Sequence, residues 1–263
     1  MKEEKFELDS DGIKVRGKIF KSEFGDPARP GRTDQEISAP AVIILHGIPR
    51  SKPAPDDPGY LPLARELTEL GFLTIFFNFR GAGESEGNFN ILGWSQDLRT
   101  VIDWLVQKHS PERIALIGFS GGASVAIYNS ARDERISALV SVSSPAYFSV
   151  IGIGKEVELW LKSFREIGLI RDPKFPESIS KWLKEFEEIA PINWIAQLSP
   201  RPILIMHGEK DEVVPKRHAE MLYEKAKAPK ELYWVKDGLH RLRIDKHAIN
   251  KAENWLLAWK EGM

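Results

Sequence analysis

The chain has 263 residues, enough for one large α/β unit or for two domains of roughly 100–200 residues each. It carries 38 acidic and 37 basic residues and no cysteine. That balance removes the bulk electrostatic case for a nucleic-acid or anionic-membrane binder, and the missing cysteine excludes disulfides, thiolate metal sites and a cysteine nucleophile. With 42% apolar and 29% charged residues the composition is that of a folded globular protein, whose chemistry must run on oxygen, nitrogen or a bound cofactor.

Met1-Lys2-Glu3-Glu4-Lys5 has no apolar signal-peptide core, and apolar stretches such as Phe72 to Phe79 fall far short of the ~20 residues of a membrane span, so a cytoplasmic protein is expected. Two alternating stretches, Lys5 to Leu8 and Ile13 to Phe20, flank Asp9-Ser10-Asp11-Gly12 and predict an antiparallel hairpin. Lys21 to Ala39, with Gly25, Pro27, Pro30 and Gly31, reads as an exposed loop. From Ala41 onward, apolar strand candidates alternate with amphipathic stretches. The strands are Ala41 to Leu45, Phe72 to Phe79, Ile114 to Ile117, Ile136 to Ser141, Ile203 to Met206 and Glu231 to Val235. Helical spacing marks Tyr60 to Leu70, Trp94 to Lys108, Gly122 to Arg132, Lys216 to Lys227 and His247 to Lys260. This alternation predicts a mostly parallel sheet with helices on both faces.

One segment breaks the rhythm. Residues 147–199 carry only helical patterns, with apolar stripes at Trp160, Leu161, Phe164 and at Trp182, Leu183, Phe186, Ile189. The segment is an insertion between two sheet strands. It reads either as helices padding the sheet edge or as a cap over a pocket.

Gly118-Phe119-Ser120-Gly121-Gly122 follows the apolar run Ile114 to Ile117 and opens a helical pattern. This is a Gly-x-Ser-x-Gly nucleophile elbow in the strand–turn–helix setting it requires. Gly118 and Gly122 let strand and helix backbones approach, and the strained turn lifts the Ser120 hydroxyl above the sheet. A serine hydroxyl needs a base, usually a histidine oriented by a carboxylate. Asp211 lies just beyond the strand Ile203 to Met206, and His240 just beyond Glu231 to Val235, at the strand ends where open α/β sheets bind ligands. The chain order Ser120, Asp211, His240 is that of this fold type.

With these pieces in place, the sequence from Ala41 to the C-terminus resembles the α/β-hydrolases. It is most similar to compact serine esterases of the cinnamoyl and feruloyl esterase-like and monoacylglycerol lipase-like groups. The matching motifs are Leu45-His46-Gly47-Ile48-Pro49, Asn78-Phe79-Arg80-Gly81-Ala82-Gly83-Glu84-Ser85-Glu86-Gly87, the elbow, and the loops of Asp211 and His240. The resemblance implies an eight-stranded sheet, with residues 1–146 and 200–263 forming the core and 147–199 a helical cap between strands 6 and 7. It also implies an oxyanion hole from the backbone N–H groups of Ile48 and Gly121, a structural role for His46, and no cofactor. Pro49-Arg50-Ser51-Lys52-Pro53 departs from the family's usual glycine-bearing continuation.

Other readings compete. His218 and His247 each stand seven residues after Asp211 and His240 respectively, but their helical setting favours His240 as base; His109, His218 and His247 read as surface groups and His207 as a strand end. Asp237 neighbours His240, yet Asp211 follows a strand end. No His-x-x-x-His or His-Glu-x-x-His spacing points to a metal. Gly81, Gly83 and Gly87 do not form a dinucleotide loop, and Gly154-Lys155 is followed by Glu156, so no phosphate loop is made. Most cap aromatics are packing residues; Trp160, Phe164 and Trp182, with Phe119, are the candidates to line an apolar acyl or aryl pocket. The expected protein is a carboxylesterase that cleaves uncharged esters of short to medium acyl chains or aryl acids through an acyl-enzyme. The alternatives are a prolyl-oligopeptidase-type peptidase, a thioesterase or a carbon–carbon bond hydrolase with the same three residues, and a non-catalytic binding protein of the same fold. Oligomeric state stays open, a homo-oligomer included.

Overall fold

The computed structural model describes residues 1–23, 39–151 and 156–262. Most of the loop expected over Lys21 to Ala39 lies outside the described residues, as does the Gly154-Lys155 pair.

Among the described residues, eight strands form a single sheet: β1 (Lys2–Ser10), β2 (Ile13–Lys21), β3 (Ala41–Leu45), β4 (Leu73–Asn78), β5 (Ile114–Phe119), β6 (Ile136–Val142), β7 (Ile203–Gly208) and β8 (Lys230–Val235). Their order is β1-β2-β4-β3-β5-β6-β7-β8. The six strands from β4 to β8 in that order are parallel, and the β1–β2 hairpin joins them antiparallel through β2 and β4. The hairpin turn places Asp11 and Gly12 at positive φ, and the Asp9 carboxylate accepts the Gly12 N–H at 2.8 Å. This turn chemistry favours Gly, Asn and Asp.

The helices are α1 (Leu61–Glu69), α2 (Ile91–His109), α3 (Gly121–Ser130), α4 (Val157–Glu166), α5 (Ile179–Glu188), α6 (Arg217–Lys225) and α7 (Lys246–Lys260). Alternate residues of a strand point to opposite faces, and the sheet uses this to build two cores. In β3, Ile43 and Leu45 join the core under α2, α3 and α6, whereas Val42 and Ile44 join the one under α1 and α7. Helix α3 has no polar stripe because all its residues are buried. Helix α2 starts at Ile91, earlier than the periodicity predicts, because the Asn90 side chain caps it by accepting the Gly93 N–H.

Helices α4 and α5, with short 3₁₀ turns at Phe148–Ile151, Pro191–Asn193 and Ile195–Gln197, form the insertion between β6 and β7. It is anchored on Phe89. The Phe89 ring meets Phe164 at a 5.0 Å centroid distance and Trp182 at 6.1 Å, and its carbonyl accepts the Trp182 indole N–H at 3.2 Å.

His218 corrects the sequence reading. It is fully buried in α6, where its Nδ1 accepts the Ala146 N–H at 3.1 Å and burial lowers its pKa to about 4. A ring between the insertion's first residues and the sheet cannot face water, although its spacing on an otherwise charged helix suggests that it would.

A carboxyl pair between α1 and α7 sets a stability prediction. Burial, and then the charge of neighbouring Glu66, raise Glu253 from 4.5 to about 7. A carboxyl whose pKa is higher in the folded protein favours folding in its protonated form. Its contribution is therefore full below the unfolded value and is lost as pH rises through the folded one. Glu253→Gln removes that loss. The gain in thermal midpoint of the variant over wild type should grow from pH 4.5 to about 7 and then level off; a difference that stays flat with pH would contradict the coupling.

Candidate active site

The elbow sits where β5 turns into α3. Ser120 has φ 52° and ψ −120°, a conformation costly for any residue with a Cβ. Close packing holds it there. A Cβ on Gly118 would stand 2.6 Å from the Ala123 Cα, and one on Gly122 would stand 2.3 Å from the His46 carbonyl oxygen. Only glycine lets α3 start so near the ends of β3 and β5. The Gly121 N–H belongs to the first turn of α3, where helix donors have no internal acceptor.

The His46-Gly47-Ile48 segment leaves β3 beside this turn. The His46 Nε2 accepts the Phe79 N–H at 3.1 Å, so its Nδ1 carries the proton and faces the Gly47 carbonyl at 2.8 Å. Burial lowers the His46 pKa to about 4 and keeps the ring neutral, as that bonding pattern requires. The Tyr60 hydroxyl accepts the Gly47 N–H at 3.4 Å. Ile48 is thereby brought against the elbow: its backbone nitrogen lies 3.5 Å from where a Gly121 Cβ would be.

Asp211 and His240 come from the loops after β7 and β8. The Asp211 carboxylate is fully buried and accepts N–H bonds from Val213 at 2.9 Å and Val214 at 2.8 Å. It faces the His240 Nδ1 at 2.8 and 3.0 Å. Burial alone would raise its pKa, but the hydrogen bond and charge of His240, with the two backbone N–H groups, outweigh burial and lower it. Asp211 is therefore ionised at neutral pH. The His240 Nε2 lies 3.0 Å from the Ser120 Oγ. The three residues from distant parts of the chain thus form one hydrogen-bonded line. Asp237 does not compete, since it is exposed and pairs with Lys210 at 2.6 Å.

A cavity of about 530 Å³ opens over this line. Ile48, Tyr60, Phe119, Val142 and Trp160 supply apolar lining. Of the four aromatics expected around it, Phe119 and Trp160 border the cavity, whereas Phe164 and Trp182 do not. The last two are 1% and 2% exposed and serve as anchors of the insertion on Phe89. Helical spacing identifies an apolar stripe but not which of its members meets a cavity.

Several residues of the site escape the sequence reading. His207 stands 3.4 Å from Asp211 and, held neutral by burial, directs its Nε2 to the Val214 carbonyl at 2.8 Å, bracing the loop that carries Asp211. Asp57 bonds Arg241 at 2.8 Å and also Arg243, tying the loop after β3 to the residues that follow His240. Ser143, at the end of β6, has φ 50° and borders the cavity with a buried hydroxyl that lacks a hydrogen-bond partner among the described residues. Its positive φ is invisible in a sequence because serine rarely adopts it. Among the described residues no group of three or more His, Cys, Asp or Glu could hold a metal ion, and no helix is long and apolar enough to cross a membrane.

A buried carboxylate, an imidazole and a hydroxyl in line, beside the Gly121 N–H at a helix start, form an arrangement suited to nucleophilic attack on a carbonyl. Comparison with known proteins agrees in kind. Residues 40–167 match the model of the alpha/beta hydrolase fold family. The chain is 29% identical over 236 residues to the protein YfhR of Escherichia coli K12, covering 88% of this chain and 70% of that one. It is 26% identical over 221 residues to the human serine hydrolase BPHL, covering 78% and 74%. In structure it is similar to Est1E of Butyrivibrio proteoclasticus, solved with ferulic acid bound, with a TM-score of 0.73, 19% identity and coverage of 98% and 100%. Strand order, segment match and structural likeness together give this chain the α/β-hydrolase fold.

Proposed function

We propose that the protein is a serine carboxylesterase that cleaves esters of short to medium acyl chains or aryl acids through an acyl-enzyme. The observation that carries this reading is the Ser120–His240–Asp211 line, with contacts of 3.0 and 2.8 Å. The His240 Nε2 takes the proton as the Ser120 Oγ bonds to the carbonyl carbon. The oxyanion so formed is held by the Ile48 and Gly121 N–H groups. Collapse breaks the bond to the alcohol oxygen, which takes the proton from His240. Water, deprotonated by His240, then attacks the acyl-enzyme, and Ser120 leaves with that proton. Asp211, ionised and buried, keeps the His240 Nδ1 protonated and favours the imidazolium between these steps.

The apolar lining favours an ester with a hydrocarbon or aromatic part, and residues 147–199, through Trp160, act as a cap on one side of the cavity. The names of the human serine hydrolase and of the ferulate-binding Est1E are in keeping with this. Reaction with a fluorophosphonate probe, followed by peptide mapping, should place the adduct on Ser120, and 4-nitrophenyl esters graded by acyl length should be turned over. An unlabelled Ser120 together with no ester turnover would favour the binding-protein reading instead.

A further inference from the structure

The cavity over Ser120 is charged quite unlike the chain as a whole. Against an overall 37 basic and 38 acidic residues, its described lining holds five basic side chains, Arg50, Lys52, Arg171, Arg241 and Arg243, and a single acidic one, Asp57. Asp57 is held below the usual carboxylate range by the Gly59 N–H and by Arg243, so it is ionised, but one carboxylate shared by Arg241 and Arg243 offsets only one of their two charges. Arg171 is bonded to the carbonyl oxygens of Ser85, Gly81 and Gly83, which hold its guanidinium in place without neutralising it. Arg50 and Lys52 are exposed and have no hydrogen bond or ion pair with any described residue.

Arg50 and Lys52 also occupy a particular place. They stand two and four residues after Ile48 and are framed by Pro49 and Pro53, whose rings restrict the backbone. The rim that presents them is thus a continuation of the segment packed against the elbow. The same cavity is also lined by the apolar side chains of Ile48, Phe119 and Trp160. Clustered like charges repel one another when the cavity is empty, and a cleft lined by one sign of charge concentrates ligands of the other, raising association by roughly 10- to 1,000-fold.

We infer that the substrate is an amphipathic ester whose apolar part enters the cavity and whose far end carries a carboxylate or similar anionic group, with Arg50 and Lys52 as the specificity-determining pair. This inference rests on the hydrolase reading of Ser120. It also revises the expectation of an uncharged ester drawn from net charge, because a local excess of positive charge at one rim is cancelled elsewhere in the sum.

The test compares matched esters, each normalised to its rate in buffer. On the acyl side, mono-4-nitrophenyl adipate is set against 4-nitrophenyl hexanoate. On the alcohol side, 4-(hexanoyloxy)benzoate is set against its methyl ester. In wild type at low ionic strength at least one anionic ester should exceed its neutral partner in kcat/KM by about tenfold, chiefly through KM, and the advantage should shrink as salt screens the rim. Arg50→Gln combined with Lys52→Gln should bring the ratio close to one, whereas Arg50→Lys combined with Lys52→Arg should keep it; thermal midpoints establish that both pairs fold. Neutral esters hydrolysed with both ratios at or below one, or a preference that survives the glutamine pair, overturns the inference while leaving the hydrolase reading intact. No turnover of any ester by wild type, with Ser120 unlabelled by a fluorophosphonate, overturns both.

Discussion

Replacing Ser120 with alanine is expected to lower kcat on 4-nitrophenyl esters by at least roughly 10⁴-fold, with KM changed little. Among the described residues the Ser120 Oγ bonds only the His240 Nε2 and caps no helix N–H, so its removal leaves the fold as it is. Stability should change by no more than about 0.5 kcal/mol, because no core atom is lost and alanine meets the same positive-φ strain as serine. Steady-state rates and a thermal melt on the same preparation check both halves. Turnover near the wild-type level would remove Ser120 from the chemistry.

Asp211→Asn should cost nearly as much, about 10⁴-fold in kcat near neutral pH, by a different route. The Asp211 carboxylate accepts from the His240 Nδ1 and from the Val213 and Val214 N–H groups, so the site is built for an acceptor with full negative charge. An amide there can turn its NH₂ toward His240, which moves the imidazole proton to Nε2 and takes away the acceptor that Ser120 needs. It also gives the imidazolium no counter-charge. Asp237→Asn is the control: Asp237 is exposed and paired with Lys210, so activity should stay within about twofold. Rates for the two variants side by side decide which carboxylate partners His240. Equal losses would mean that the variants act through the loop that holds Asp211 and not through its charge.

The reach of the sequence follows from where each signal lies along the chain. The elbow is readable because its constraint is local: glycines at 118 and 122 must flank a serine between an apolar run and a helical stretch. Asp211 and His240 are readable as loop residues after strand runs, since strand ends are marked by the switch from apolar to polar residues. The insertion shows in the break of the strand–helix alternation, and it lies between β6 and β7 as that break requires.

The remaining features depend on distances through space. Phe164 and Trp182 share their helical spacing with Trp160, yet only Trp160 meets the cavity, because Phe89, far back in the chain, claims the other two. His218 lies on a helix rich in charged residues, yet it is fully buried and bonded to the distant Ala146 N–H. His207 ends a strand in the sequence, and only folding sets it 3.4 Å from Asp211.

Composition and pattern alone excluded a cysteine nucleophile and marked out a mostly parallel α/β sheet and the three residues to test at its edge, because periodicity and turn chemistry act over a few neighbouring residues. Tertiary structure decided which aromatic side chains face the cavity, which histidines are buried, and that a nearly neutral chain gathers five basic side chains around one opening. The reason is physical: a net charge is a sum that keeps no positions, whereas attraction falls off with distance and is screened within about 10 Å at ordinary ionic strength. A ligand at the Ser120 cavity responds to the charges on its rim, and only the folded chain brings them there.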